Sequence, residues 1–176
     1  MRIVVSGYVG KHKTGIGRVM ENILKNLPLV REDVIDLYCN YDFDEFEFSN
    51  FPRNIRIHRY KVTKNSSILN LIWHQIVFPF VTLFRKSDVV YIPNFTFLLF
   101  KFKPTVVVIH DMIEFNITNK FSRFRVLYRH FSVPLMAKRA DKVITVSENS
   151  KRDIIRYCKI PPSKITVIYN GVDTRF

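Results

Sequence analysis

Three stretches of this chain hold residue types whose spacing suits chemistry. The first is Ser6-Gly7-Tyr8-Val9-Gly10-Lys11-His12-Lys13-Thr14-Gly15-Ile16-Gly17-Arg18, with four of the five glycines. Glycine lets backbone N–H groups approach an anion closely, and a following helix adds its positive N-terminus. A phosphate loop of the form G-x-x-x-x-G-K-[ST] is excluded, because Gly7 and Gly10 are too close and His12 follows Gly10-Lys11. A dinucleotide fingerprint is excluded too, because Met20 stands where its third glycine belongs. A tight turn with close helix packing and an anion-binding loop both stay open.

The second stretch is Ile109-His110-Asp111, which ends a β-branched run. A histidine there suits donation to a ligand hydroxyl, with the carboxylate orienting it. On the residues alone, a structural role capping the end of the strand is the stronger reading. The third stretch, 120–139, holds six cations and no acid: Lys120, Arg123, Arg125, Arg129, Lys138 and Arg139. Phe121, Phe124, Tyr128 and Phe131 are interleaved with them. Either the aromatics pack inward and leave a solvated cationic face, or the stretch faces anionic lipid. His12, His58, His74 and His130 are scattered, and no His/Cys/Asp/Glu spacing suits zinc, so no metal site is expected. No Gly-x-Ser-x-Gly elbow occurs, and neither Cys39 nor Cys158 lies in a recognisable nucleophile context.

These residues need a scaffold. Runs at 3–5, 34–39, 89–92, 105–109, 143–146 and 165–169 are short, rich in β-branched residues and mostly apolar on both faces. Strands covered by helices on both sides read this way. Residues 55–60 alternate, as an edge strand with one wet face does. Between them, Val19, Met20, Ile23, Leu24 and Leu27 recur at helical spacing and Pro28 stops the run. Residues 66–84 form a second, strongly apolar helix that Pro79 kinks or splits. Phe121, Phe124, Tyr128, Phe131 and Leu135 mark a third. Ser147 caps a fourth over 149–157, with Pro161-Pro162 beyond it. The expected fold class is α/β: a Rossmann-like, three-layer parallel sheet with helices on both faces. Ligands of such sheets bind beyond the carboxyl ends of the strands, so the loop at Gly15 to Gly17 and His110 are expected to face one cleft.

The chain has 176 residues, 47% hydrophobic and 24% charged, which suits one globular domain and excludes collagen, coiled coil and disorder. Its net charge is +13, and the excess lies in the later part: residues 1–60 hold nine basic and eight acidic groups, residues 111–176 thirteen and six. Such an excess implies an anionic partner. Asn70, His74, Gln75 and Thr82 interrupt the most apolar stretch, so a membrane span is not expected. The opening Met1-Arg2-Ile3-Val4-Val5-Ser6 reads as a strand and not as a secretory leader, which favours a cytoplasmic chain.

Taken in order, Thr14-Gly15-Ile16-Gly17-Arg18, the helix bearing Asn22, Leu24 and Leu27, His110-Asp111, Ala140-Asp141-Lys142-Val143-Ile144-Thr145-Val146-Ser147-Glu148-Asn149-Ser150-Lys151 and Tyr169-Asn170-Gly171-Val172-Asp173 resemble a family. They are similar to the N-terminal domain of family 4 (group 1) retaining glycosyltransferases of GT-B architecture. The Ser-Glu-x-Ser-Lys stretch leading to Asn-Gly-Val-Asp is the most specific part, and residues 42–87 contribute least.

The resemblance implies a Rossmann-like acceptor-side domain over 1–169, the start of an interdomain linker over 170–176, and a C-terminal donor-binding domain that this chain does not include. It implies a metal-independent enzyme that takes a nucleotide-sugar donor and a glycan or lipid-linked acceptor, works in cell-surface polysaccharide or glycolipid synthesis, and sits at the inner face of the membrane. Gly15, Ile16 and Gly17 would approach the donor diphosphate, with Arg18 beside the phosphates. His110 would reach the transferred sugar, Asp111 would hold the turn or orient the histidine, and Ser147 would cap its helix near the cleft. The cations of 120–139, with the apolar region 66–84, would meet an anionic membrane surface. The domain alone would fold but transfer no sugar. Two other classes were weighed. A nucleic-acid-binding module fits the charge, but no helix-turn-helix, zinc knuckle or RNA-recognition aromatic motif occurs, so no nucleic acid is expected. A non-catalytic Rossmann-like adaptor would keep the fold without sugar or nucleotide binding.

Overall fold

The strands need little beyond their composition to form, because β-branched side chains pack well on a pleated surface buried on both faces. The computed structural model describes residues 1–7, 15–40, 51–60, 67–94, 98–117 and 120–171. In chain order it holds β1 (Arg2–Ser6), α1 (Gly15–Asn26), β2 (Val34–Asn40), β3 (Ile55–Tyr60) and α2 (Ser67–Ile72). A π-helical turn (Trp73–Val77), α3 (Phe78–Phe84), β4 (Val89–Ile92), β5 (Thr105–Val108) and α4 (Ile113–Asn116) follow. The chain continues through α5 (Arg123–Arg139), β6 (Lys142–Thr145), α6 (Glu148–Cys158), a 3-10 turn (Pro162–Lys164) and β7 (Ile165–Val167). The strands lie where the β-branched runs were expected. The fold is α/β and Rossmann-like, with parallel strands alternating with helices.

The chain divides into two compact units, Met1–Val106 and Val107–Phe176. In the first, the strand order is β3-β2-β1-β4, and every one of these pairings is parallel. Ile3 stands opposite Ile35 on one side and Val89 on the other. The start of the β5 segment joins β4 through the Val90 N–H, which donates to Pro104 O at 2.8 Å. Val5, Ile35, Leu37, Cys39 and Ile55 pack with Met20 and Leu24 of α1. Val4 is equally buried, so β1 is covered on both faces.

One carboxylate sits inside this sheet. Asp36 of β2 is fully buried, accepting Arg2 Nε at 2.7 Å and paired with His58 Nε2 at 2.7 Å. Burial pushes its carboxyl up, but the bonds to Arg2 and His58 outweigh that and hold it below its ordinary range.

The expected helix over 66–84 is present from Ser67 to Phe84 without a break, and it carries a π-helical turn just ahead of Pro79. Proline has no N–H to give to the preceding turn, and the helix widens just before it. The Phe78 N–H reaches back five residues to Trp73 O, and α3 follows with Pro79 in its first turn. In the second unit the order is β5-β6-β7, with β6 and β7 parallel and the Ile109 N–H donating to Ile144 O at 2.9 Å. The expected cap on α6 is present: Ser147 is extended and its hydroxyl accepts the Ser150 N–H at 3.0 Å. The expected linker lies mostly outside the described residues, which stop at Gly171.

Gly7 marks where β1 must end. Its N–H donates to Tyr38 O at 2.7 Å, and a Cβ there would stand 2.6 Å from Leu37 Cδ1 and 3.1 Å from Tyr38 O. A methyl group at Gly15, by contrast, would meet nothing within 4 Å among the described residues. Gly7→Ala is therefore expected to cost about 1–3 kcal/mol through overpacking, while Gly15→Ala leaves stability unchanged or slightly raised. Urea unfolding midpoints of the two variants measure the difference.

Candidate functional site

In the first unit the candidate residues gather where β1 runs out and α1 begins. α1 starts at Gly15, with Gly15 and Arg18 exposed, Ile16 half-buried and Gly17 buried against its neighbours. The first N–H groups of a helix have no partner inside it, and no acid stands in this first turn to compete for them. The turn therefore suits an anion, and the open space around Gly15 leaves room for one.

At the end of β1 lies a polar group that spacing did not reveal. The buried Ser6 hydroxyl is hydrogen-bonded to His74 Nε2 at 3.1 Å, and Ser6 O accepts Asn94 Nδ2 at a longer 3.5 Å. His74 stands on the π-helical turn between Trp73, stacked on Tyr60 at 3.7 Å, and Gln75, whose Oε1 accepts the Leu99 N–H at 2.8 Å. A π turn has more residues per turn than an α-helix, so three consecutive side chains, Trp73, His74 and Gln75, all point inward. The only sequence signal for this was Pro79.

In the second unit the candidate residues surround the end of the β5 run. His110 is half-buried and its carbonyl accepts the Ser150 hydroxyl at 2.9 Å. That hydroxyl in turn accepts Ser147 Oγ–H at 3.0 Å. The first turn of α6 thus clamps the backbone of His110 through two serines. Asp111 is exposed, and its Oδ1 accepts the Ile113 N–H at 3.1 Å, which holds the turn into α4. α4 is fixed in turn: Phe115 stacks on His130 at 4.0 Å, and Asn116 bonds Tyr157 Oη–H and Asp153.

The cations of α5 are not alike. Glu114, almost wholly buried, accepts Arg125 Nη2 at 2.7 Å and faces Arg129 Nε at 3.6 Å. Burial pushes the Glu114 carboxyl up, yet the Arg125 bond and the Arg129 charge leave it below its ordinary value. Burial likewise lowers Arg129, against the pull of Glu114. Arg129 and Arg125 therefore serve an internal acid, Arg125 while staying exposed, and Lys120, Arg123, Lys138 and Arg139 are exposed as well.

The aromatics of this helix do not pack inward. Phe124 is 81% exposed, and Leu127, Tyr128 and Phe131 follow it on the same outward stripe. The inward stripe is Ser132, Val133, Met136 and Ala137. Both cysteines are buried thiols: burial pushes Cys39 up to about 11 and Cys158 up to about 12, which suits packing and not nucleophilic attack.

Residues 13–176 match the family model described as Glycosyltransferase Family 4. No curated protein matches the chain in sequence. Solved structures share its fold, among them the following two. One is a lipopolysaccharide outer core galactosyltransferase WaaB in apo form, with a TM-score of 0.61 and 15% identity. The other is a glycosyltransferase from Rickettsia africae ESF-5, with a TM-score of 0.56 and 15% identity. Each covers 98% of this chain, whereas the chain spans 46% and 44% of their respective lengths.

The Glu114 cluster yields a test on stability. A carboxyl lowered in the folded state stabilises fully above its unfolded value of 4.5 and stops doing so as pH falls through its folded value. Glu114→Gln is expected to cost about 1.5–3 kcal/mol at neutral pH, as a hydrogen bond to a charged group does. It should also remove part of the acid-side decline. Chemical denaturation at neutral pH and at a series of acidic pH values reads both effects.

Proposed function

This chain belongs to glycosyltransferase family 4, and from that premise we propose that it is the acceptor-side half of an enzyme that moves a sugar from a nucleotide-sugar donor, with retention at the anomeric carbon. The reading rests on the family match over 13–176, joined to a glycine-led helix start whose first turn is open and free of acids. Under it, Gly15, Ile16 and Gly17 bring backbone N–H groups to the donor diphosphate and Arg18 adds a positive charge. His110 holds the transferred sugar as positive charge develops at its anomeric carbon. Asp111 keeps the turn and Ser147 keeps the helix that pins the His110 backbone. No side chain of this half is assigned as a nucleophile, and the donor is read as bound without a resident metal. The opposing charges for the diphosphate belong to a C-terminal partner domain.

The acceptor is read as a glycan or a lipid-linked sugar of cell-surface polysaccharide or glycolipid synthesis, met at the cytoplasmic face of a membrane. No helix among the described residues is long and apolar enough to cross a bilayer. The exposed α5 stripe of Phe124, Leu127, Tyr128 and Phe131, flanked by Lys120 and Arg123, supports a surface contact with anionic lipid. Arg125 and Arg129 contribute less to it, being drawn toward Glu114.

Two substitutions in the full-length enzyme test the site. His110→Ala is expected to lower kcat/KM by about a hundredfold or more with the thermal midpoint nearly unchanged, because the clamp on this residue runs through its backbone. Gly15→Ala is expected to raise the donor KM about tenfold without loss of stability. Stability falling in step with activity in both variants would return these positions to a purely structural role.

A further inference from the structure

The segment from Ser67 to Phe84 holds no Asp, Glu, Lys or Arg. One side of it is inside the first unit: Trp73, His74, Gln75, Phe78 and Thr82 are buried. The other side carries Ile76, Phe80, Leu83 and Phe84, spaced by three and four, and all are exposed. Phe84 is 80% exposed. A helix without a charged face and with an apolar outward stripe belongs in an apolar surrounding on both sides, and here only one side has it.

The outward face continues into the segment before β5. Phe80 lies 6.4 Å from Phe84 and 6.4 Å from Phe102, and Phe102 stacks on Phe100 at 6.5 Å. These ring contacts assemble an exposed aromatic platform from two chain segments within the same unit. Monomeric soluble proteins rarely leave so contiguous an apolar patch in water.

The rim of the platform is cationic. Arg85 and Lys86 follow Phe84 directly and are exposed, as is Lys101 between Phe100 and Phe102. Among the described residues, the acid next to this stretch in the chain, Asp88, accepts the Arg2 N–H at 2.7 Å. Charge decides what covers the patch. A second copy of a chain carrying +13 would bring cations against cations. An anionic bilayer would receive the rings at its headgroup and acyl boundary while the Lys and Arg heads meet lipid phosphates.

We propose that Phe80, Phe84, Phe100 and Phe102 form an insertion platform that seats the first unit in the interface of an anionic bilayer. It is an apolar contact separate from the α5 surface, and it deepens the membrane reading above, on which it rests. Held in this way, the unit takes up a lipid-linked acceptor from the surface on which that acceptor lies.

The experiment uses the full-length protein with vesicles of phosphatidylcholine alone and with phosphatidylglycerol added. Trp73, the one tryptophan of these 176 residues, is buried against Tyr60, and the difference between the Phe84→Trp variant and the parent protein isolates the new indole. With Phe84→Trp, the emission is expected to shift to the blue on adding anionic vesicles and to be quenched by brominated acyl chains. The triple variant Phe80→Ser, Phe84→Ser, Phe102→Ser is expected to lose about tenfold or more of vesicle partitioning at high salt, with its urea midpoint retained.

Lys120→Glu with Arg123→Glu separates the two surfaces. That pair should lose binding at low salt only, and the indole at position 84 should still be quenched. Protein that sediments with anionic vesicles while the position-84 indole neither shifts nor is quenched overturns the platform and leaves the α5 reading standing. Lipid-free dimerisation that the triple Ser variant abolishes overturns it in favour of a second copy as the occupant.

Discussion

A parallel strand buried on both faces has no wet side, and the rest of this molecule follows from that constraint. Side chains along β1 are committed to packing, so polar chemistry is confined to the residues where strands end. A carboxylate in β2 shows the cost. Asp36 sits in the sheet interior only because Arg2 and His58, one from each neighbouring strand, both bond its carboxylate.

At the strand ends the backbone does the positioning. Gly7 lets β1 close against Tyr38 O where any side chain would strike Leu37, and Ser6 is held by His74 from the π turn. In the second unit the Ser147 and Ser150 hydroxyls hold the His110 carbonyl, and the Asp111 carboxylate holds the next turn. Each candidate functional residue is thus fixed through main-chain or short polar contacts.

The charge excess also divides by structure. Arg2, Arg125 and Arg129 neutralise carboxylates that burial would otherwise make costly. Of the exposed cations, four follow or precede outward aromatic residues in the chain: Lys120 and Arg123 before Phe124, Arg85 and Lys86 after Phe84. Pairing of cations with exposed rings on two elements is a pattern of interfacial surfaces, where apolar depth and anionic headgroups are met together.

The sequence by itself determined the strands, because β-branched runs apolar on both faces have few other uses. It determined the α6 cap, because a serine ahead of a helical run has a local hydrogen bond to make, and that bond needs no tertiary partner. The ordered motifs around Gly15, His110 and Ser147 were likewise readable, and the family match over 13–176 agrees with them. What the sequence left open was decided by contacts distant along the chain. Residues 124–131 and 129–137 each repeat at helical spacing, and periodicity defines faces without saying which one turns inward; the small and aliphatic Ser132, Val133, Met136 and Ala137 face the core. Arg125 and Arg129 read as free cations until Glu114, brought beside them by the α4 turn, claims them. His74 read as one scattered histidine among several until the π turn ahead of Pro79 carried it to Ser6. In each case local spacing sets what a residue can do, and only the fold supplies the partner that settles what it does.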